Sequence, residues 1–263
     1  MGKATAVANP NIAFVKYWGK IDEALNLPAN PSFSMNLATL TTVTTVEFGP
    51  SLHVDTVTID GQQVEGRARD RVVAHLDRVR ALAGGGDRAR VSSRSNFPAG
   101  TGLASSASAF AALSLAATRA AGLDLVESEL SRLARLGSGS ACRSVPGGFS
   151  LWEGNTDETS FARQVVPPEH WDLYDLVAIV GRQHKAVGSQ DGHALAPTSP
   201  LYQARLTVVP ELLSKVQKGI LHRDLEVVGR AVEVDALAMH GVMMTSRPSL
   251  LYWLPATVAV LRA

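Results

Sequence analysis

The spacing of apolar and polar positions changes several times along these 263 residues, and each change marks an element. Residues 4–18, ATAVANPNIAFVKYW, predict a short strand, a turn at Asn9-Pro10-Asn11 and an apolar segment that sets Lys16 among Phe14, Val15, Tyr17 and Trp18. Alternating β-branched residues predict a strand from Thr41 to Phe48, closed by Gly49-Pro50. A second strand is expected in 52–60, with a hairpin at Asp60-Gly61. From Asp70 the period becomes helical: Val72, Val73, Leu76, Val79 and Leu82 share one face, Arg71 stands at the start, and Gly84-Gly85-Gly86 ends the run. An Ala/Leu-rich helix follows Ala104 and closes at Gly122. Residues 126–153 then predict an amphipathic helix, a small-residue loop GSGSACR, and a Gly147-Gly148 turn into an apolar strand. Gly154 to Asp172 reads as a linker, Asp175 to Gly181 as a strand, and 183–194 as a polar loop. Helices are expected around Leu201 to Gly219 and Asp224 to His240, with an apolar helix in 250–263. The domain change falls between Trp171 and Asp175, dividing the chain into 1–173 and 174–263.

Composition narrows the class. With 46% hydrophobic and 19% charged residues the chain can bury a sizeable core. Its 25 basic and 24 acidic side chains form no long run of one sign, which argues against a nucleic-acid footprint or a polybasic membrane patch and for a small-molecule partner. Cys142 is the single cysteine, so an internal disulfide is excluded and a reducing compartment, the cytoplasm, is expected. No stretch of about eighteen uninterrupted apolar residues occurs.

Three clusters carry candidate chemistry. NFPAGTGLASSA at 96–107 packs Pro98, Gly100 and Gly102 ahead of Ser105 and Ser106, and delivers a helix N-terminus. Unpaired backbone N–H groups and the positive end of the helix dipole suit an anion such as phosphate. A Gly-rich cap on a buried helix is the competing reading. No Gly-Lys-Ser/Thr follows, and the dinucleotide GxGxxG pattern fails at Ser105, so neither a Walker loop nor a dinucleotide fold is indicated. Lys16, Tyr17 and Lys20 form a cationic set for an anionic ligand, or else solvated lysines with buried stems. In GSGSACR, Ser138 and Ser140 offer hydroxyls and Arg143 a planar fork for a carboxylate or phosphate. The histidines show no metal-ligand spacing, and no GxSxG serine has a matching acid and histidine, so hydrolase chemistry is disfavoured.

The stretches ANPNIAFVKYWGK (8–20), NLPANPSFSMNL (26–37), SNFPAGTGLASSASAFAAL (95–113) and RLGSGSACRSVPGGFSLW (135–152) resemble the mevalonate diphosphate decarboxylases and their phosphomevalonate decarboxylase relatives, within the GHMP kinase superfamily. The resemblance runs nearly end to end. It implies a GHMP-kinase-like α+β fold of two domains with the active cleft between them, ATP on the Gly-rich loop with Mg²⁺, and a homodimer. The implied reaction phosphorylates the tertiary 3-hydroxyl of mevalonate 5-diphosphate, or alternatively of mevalonate 5-phosphate, and then expels phosphate and carbon dioxide.

By the same resemblance, Pro98, Gly100, Gly102, Ser105 and Ser106 belong to the nucleotide loop, with Ser106 expected to contact phosphate or metal. Lys16 and Arg143 match catalytic positions, Arg143 holding the substrate carboxylate. Asn11, Tyr17, Lys20, Arg71, Ser138 and Ser140 match substrate-binding ones.

Two departures stand out. The family's catalytic aspartate belongs to an Asp-Ala-Gly-Pro segment that does not occur here, and Asp235 does not fit its motif. An incomplete second domain with an exposed apolar face is therefore expected, and an inactive nucleotide-binding remnant or a kinase that stops after phosphoryl transfer stay open. GSQDG at 188–192 also puts Asp191 where a diphosphate would want a neutral or cationic neighbour, and MMTSRPSLLYW at 243–253 looks closer to the phosphomevalonate branch.

Overall fold

In the computed structural model, which describes residues 2–98, 105–181 and 188–262, two large antiparallel-rich sheets, a two-stranded ribbon of Lys20–Asp22 with Leu27–Pro28, and their helices form an α+β arrangement. The strands are β1 (Lys3–Ala8), β2 (Asn11–Val15), β3 (Lys20–Asp22), β4 (Leu27–Pro28), β5 (Ser32–Asn36), β6 (Thr42–Gly49), β7 (Thr56–Ile59), β8 (Gln62–Gln63), β9 (Arg88–Ser95), β10 (Phe149–Glu153) and β11 (Phe161–Val166). The helices are α1 (Gly66–Ala83), α2 (Ser105–Ala120), α3 (Glu127–Gly137), α4 (Ser189–Leu195), α5 (Tyr202–His222), α6 (Leu225–Thr245) and α7 (Pro255–Leu261), and GSACRS forms a 3₁₀ turn at Gly139–Ser144.

The first sheet runs β1-β6-β9-β7-β8, with β7 parallel to β9 and the other pairs antiparallel. Thr42, Thr44, Val46 and Phe48 of β6 are buried at every second position, which turns one pleat onto α2. Val46, Phe48, Leu76, Val79, Val91, Phe110 and Leu113 make this core. Helix α2 is buried on most of its circumference because its alanines and serines let β6, β1 and the 3₁₀ turn approach closely; Ser108 meets Thr42 Oγ1 at 2.7 Å, so burying its hydroxyl is not costly.

The second sheet, β11-β10-β5-β2, turns Phe14, Phe33 and Phe149 toward Val209, Leu212, Leu213, Val216 and Ile220 of α5 and Val228 and Ala231 of α6. One hydrophobic core thus joins strands drawn from before Trp171 to helices drawn from after Asp175. The other face of this sheet is polar: Ser34 and Ser150 share a hydrogen bond of 3.1 Å, and Ser32 faces the 3₁₀ turn.

The local periodicities are realised for β6, for the Asp60-Gly61 hairpin and for the helices after Ser105, Leu201 and Asp224. Four expectations are corrected. Helix α1 starts at Gly66, so Arg71 lies in its second turn, and Leu82 is exposed rather than on the buried face. The passage read as a linker contains β11, a short strand that pairs with β10. Residues 175–181 form no strand, because none of the described strands pairs with them, and Leu176 and Ile179 are 96% and 76% exposed. The C-terminal helix begins only at Pro255, where Val258, Val260 and Leu261 are exposed, in line with the apolar face anticipated there.

Candidate active site

Lys16 is the first residue beyond β2, and the segment Lys16 to Lys20 forms one wall of a cavity of about 700 Å³. The remaining described walls come from Ala13 and Asn26, from Arg67, Ala68 and Arg71 of α1, Ser106 of α2, the α3 end and 3₁₀ turn from Gly137 to Ser140 with Arg143, Gly188, Gln190, Asp191 and His193, and Met239 and Met243 of α6. Two glycines make this shape possible. Gly19 sits at φ +93° with the Tyr202 ring where a side chain would be, and a Cβ on Gly139 would lie 2.7 Å from the Tyr17 ring.

The cavity is strongly cationic. Arg143 is buried; its Nη1 donates to Ser32 Oγ at 2.7 Å, its Nε to Asn11 Oδ1 at 3.3 Å, and its guanidinium lies 5.6 Å from the Trp152 ring centroid. Burial lowers its pKa, yet it makes no ion pair with any described carboxylate. Burial also pulls the Lys16 ammonium below its usual range, with Asp235 opposing this and Arg143 reinforcing it. Lys20 Nζ is paired with Glu23 at 2.6 Å. Arg71 Nη2 donates to Gly137 O at 3.1 Å over the Phe110 ring. Ser106 Oγ and Ser138 Oγ are 3.3 Å apart, which joins the start of α2 to the end of α3.

Lys16, Tyr17, Lys20, Arg71, Ser106, Ser138, Ser140 and Arg143 therefore share one cavity. Asn11 stands behind the wall instead: buried, it donates to Ser140 O at 3.1 Å and Ser144 Oγ at 2.8 Å while accepting from Arg143, so its contacts hold the turn and the guanidinium. Ser105 opens α2, and Pro98 is exposed where the chain leaves β9. Gly100 and Gly102 lie outside the described residues. Burial pushes the Cys142 thiol up to about 12, which leaves it a packing residue rather than a nucleophile.

Three side chains here have a place in the site that the sequence did not assign them. His193 is buried between the Tyr17 and Trp18 rings, with centroids at 4.2 and 4.7 Å, and its Nδ1 accepts from the Gly19 N–H at 3.0 Å. A backbone N–H only donates, so Nδ1 is unprotonated; burial, with Lys20 and Arg143 nearby, pushes the ring down to about 3 and keeps it neutral. Asp235 and Arg205 form a buried ion pair of 2.8 Å whose atoms bond the backbone of Lys16. The sequence offers Asp235 only as a candidate for the family's catalytic acid, whose motif it does not fit, and gives no signal for Arg205. Asp235 is fully buried and does not line the cavity, so it is not placed as a base toward a bound substrate.

Among the described residues no group of three His, Cys, Asp or Glu side chains could hold a metal ion. The family model for the diphosphomevalonate decarboxylase-like N-terminal domain matches residues 8–162, and that for the mevalonate 5-diphosphate decarboxylase C-terminal domain matches 175–262. The chain belongs to the mevalonate diphosphate decarboxylase family. Among the family's members, it is 37% identical to the phosphomevalonate decarboxylase of Haloferax volcanii, over 99% of this chain and 80% of that protein. It is 36% identical to the human diphosphomevalonate decarboxylase, over 96% and 68%. The family's solved structures superpose closely. The protein called MDDEF, in complex with MVAPP, AMPPCP and magnesium, gives a TM-score of 0.92 at 37% identity, covering 99% of this chain and 81% of that one. The mevalonate diphosphate decarboxylase of Staphylococcus aureus gives 0.90 at 37% identity, covering 99% and 80%.

Proposed function

We propose that this cavity carries out the ATP-dependent decarboxylation of mevalonate 5-diphosphate to isopentenyl diphosphate, as an ATP-consuming carboxy-lyase of isoprenoid synthesis. One observation carries the reading: Lys16 and Arg143 face one cavity without an ion-pair partner among the described residues, leaving two positive charges for an anionic substrate. Arg143 holds the substrate carboxylate; the neutral oxygens of Ser32 and Asn11 orient its fork without neutralising it. Lys16 lies on the same wall, and its ammonium stabilises charge developing at the reacting end. Tyr17 contributes a buried hydroxyl that has no partner among the described residues, and burial keeps it protonated as a donor.

The donor set fits ATP and Mg²⁺. MDDEF was solved with AMPPCP and magnesium, the start of α2 offers its N–H groups and the Ser106 hydroxyl, and without an acidic cluster among the described residues the metal would be carried largely by phosphate oxygens. ATP supplies the phosphoryl group that makes the tertiary hydroxyl a leaving group. The lone, buried and unbridged Cys142 agrees with a cytoplasmic setting, and a homodimer is the assembly this reading carries.

A second reading, mevalonate 5-phosphate as substrate, is favoured by Asp191. It is the one carboxylate among the described lining residues, 3.0 Å from Arg67, and it disfavours additional phosphate charge. The Haloferax relative carries the corresponding name. Incubating the chain with ATP, Mg²⁺ and each substrate decides: equimolar ADP, phosphate and carbon dioxide are expected. A stable 3-phosphorylated product without carbon dioxide indicates a kinase, and no ADP release with either substrate overturns the proposal.

A further inference from the structure

Lys16 has left the β2 ladder, so its backbone N–H and C=O need partners from elsewhere. Both come from one buried ion pair far along the chain. Asp235 Oδ2 accepts from the Lys16 N–H at 2.7 Å, and Asp235 Oδ1 accepts from Arg205 Nη2 at 2.8 Å. The same Nη2 donates to the Lys16 carbonyl at 2.8 Å. Arg205 Nη1 donates to Asn30 Oδ1 at 3.1 Å, and Asn30 Nδ2 returns to the Lys16 carbonyl at 3.0 Å. Asp235 is 0% and Arg205 2% exposed, so two full charges are desolvated to hold the main chain of one residue. For stability alone an apolar pair of similar volume would serve as well, since burying such a pair costs about as much as it returns. What the ion pair adds is a fixed place for Lys16 relative to α5 and α6, together with a negative charge close to its ammonium.

We propose that Asp235 and Arg205 are positioning residues for Lys16, an ion pair on α5 and α6 that locks the lysine backbone into the cavity wall and supports the charge of its side chain. This rests on the reading of Lys16 as an active-site lysine. The charged groups acting on Lys16 are Asp235 from α6, Arg205 from α5, Arg143 from the 3₁₀ turn and Asp175 from the segment beyond β11. The carboxylates raise its pKa and the arginines lower it, Asp235 being the largest of the four.

The test uses the full chain with Asp235→Asn, and circular dichroism to verify folding. Turnover is expected to fall about 10²-fold, as for misplaced catalytic groups, while KM for both substrates stays within about threefold. Reductive methylation of Lys16, followed by mass spectrometry of its peptide with Lys3 as internal reference, is expected to reach half-maximal rate at lower pH than in the unaltered chain. If Asp235→Asn does not fold, the doubly substituted Asp235→Leu/Arg205→Met chain replaces the pair with apolar groups, and the same fall in turnover is expected. An unchanged kcat in a folded variant, or a methylation profile for Asp235→Asn that does not move, overturns the proposal. The methylation readout needs no turnover. A shifted profile in a chain that decarboxylates neither substrate would sink the decarboxylase reading and leave the positioning role intact.

Discussion

Arg135 and Arg143 lie eight residues apart, both buried, and they serve opposite ends. Arg135, in the last turn of α3, is saturated: it pairs with Asp157, donates to the Ser160 carbonyl, and its Nε reaches Leu25 O at 3.0 Å. Burial lowers its pKa and Asp157 opposes that. Among the described residues Arg143 has only the neutral oxygens of Ser32 and Asn11, plus the face of Trp152, and its charge borders the cavity. A buried cation with its counter-ion is a fastening; one without is a binding site held ready at a cost in stability.

Substitutions can break or sharpen this contrast. The largest effect is expected for Arg143→Gln, which should lower kcat/KM about 10³-fold while leaving the melting temperature unchanged or raised, as read by steady-state kinetics and calorimetry. Arg135→Gln should do the reverse. Loss of its ion pair with Asp157, which keeps Arg132, and of its bonds to the Leu25 and Ser160 carbonyls is expected to destabilise the fold by about 3 kcal/mol, measured by urea unfolding, with kcat of the folded protein nearly preserved. Equal losses of stability in the two variants would dissolve the comparison. Ser106→Ala should raise KM for ATP about tenfold, the worth of one charge-assisted hydrogen bond; an unchanged rate at limiting ATP would make that serine a cap only. Asp191→Asn should shift the ratio of kcat/KM values toward the diphosphate by about two- to threefold, the size of an exposed charge effect.

The smallest effect concerns acid. Burial raises the Asp157 carboxyl, but the hydrogen bonds and charges of Arg132 and Arg135 outweigh this and hold it below the usual carboxylate range. A depressed folded pKa contributes stability above the unfolded value of about 4 and loses it as pH falls through the folded one. Asp157→Asn should therefore flatten the acid side of the stability profile, read from urea midpoints; no flattening would show that the pair is screened.

Elements with strong local periodicity were legible in the sequence, as were the residue types of the site. β6, α2 and α3 follow from runs of alternating or helically spaced residues, and Lys16, Tyr17, Lys20, Ser138, Ser140 and Arg143 from motifs whose chemistry suits anions. β11 escaped because FARQVV is short and broken by Arg163 and Gln164 with no alternation, and 175–181 was misjudged because β-branched residues form a strand only beside a partner. The places of His193, Arg205 and Asp235 were not legible because nothing in an isolated helix marks a polar side chain that will be buried against a strand end some 170 to 220 residues away.

By itself the sequence determined the family, the α+β alternation and the stock of cations and hydroxyls, since these depend on local spacing and side-chain chemistry. Only the tertiary structure decided which charges are neutralised and which stay available. The motif marks Arg143 as a cation suited to an anion but not that it stays unpaired, and its difference from Arg135 in this respect lies in whether the chain brings a carboxylate such as Asp157 within reach. Long-range contacts set both that distance and the burial around it, and these two together govern the electrostatic energy of a buried charge.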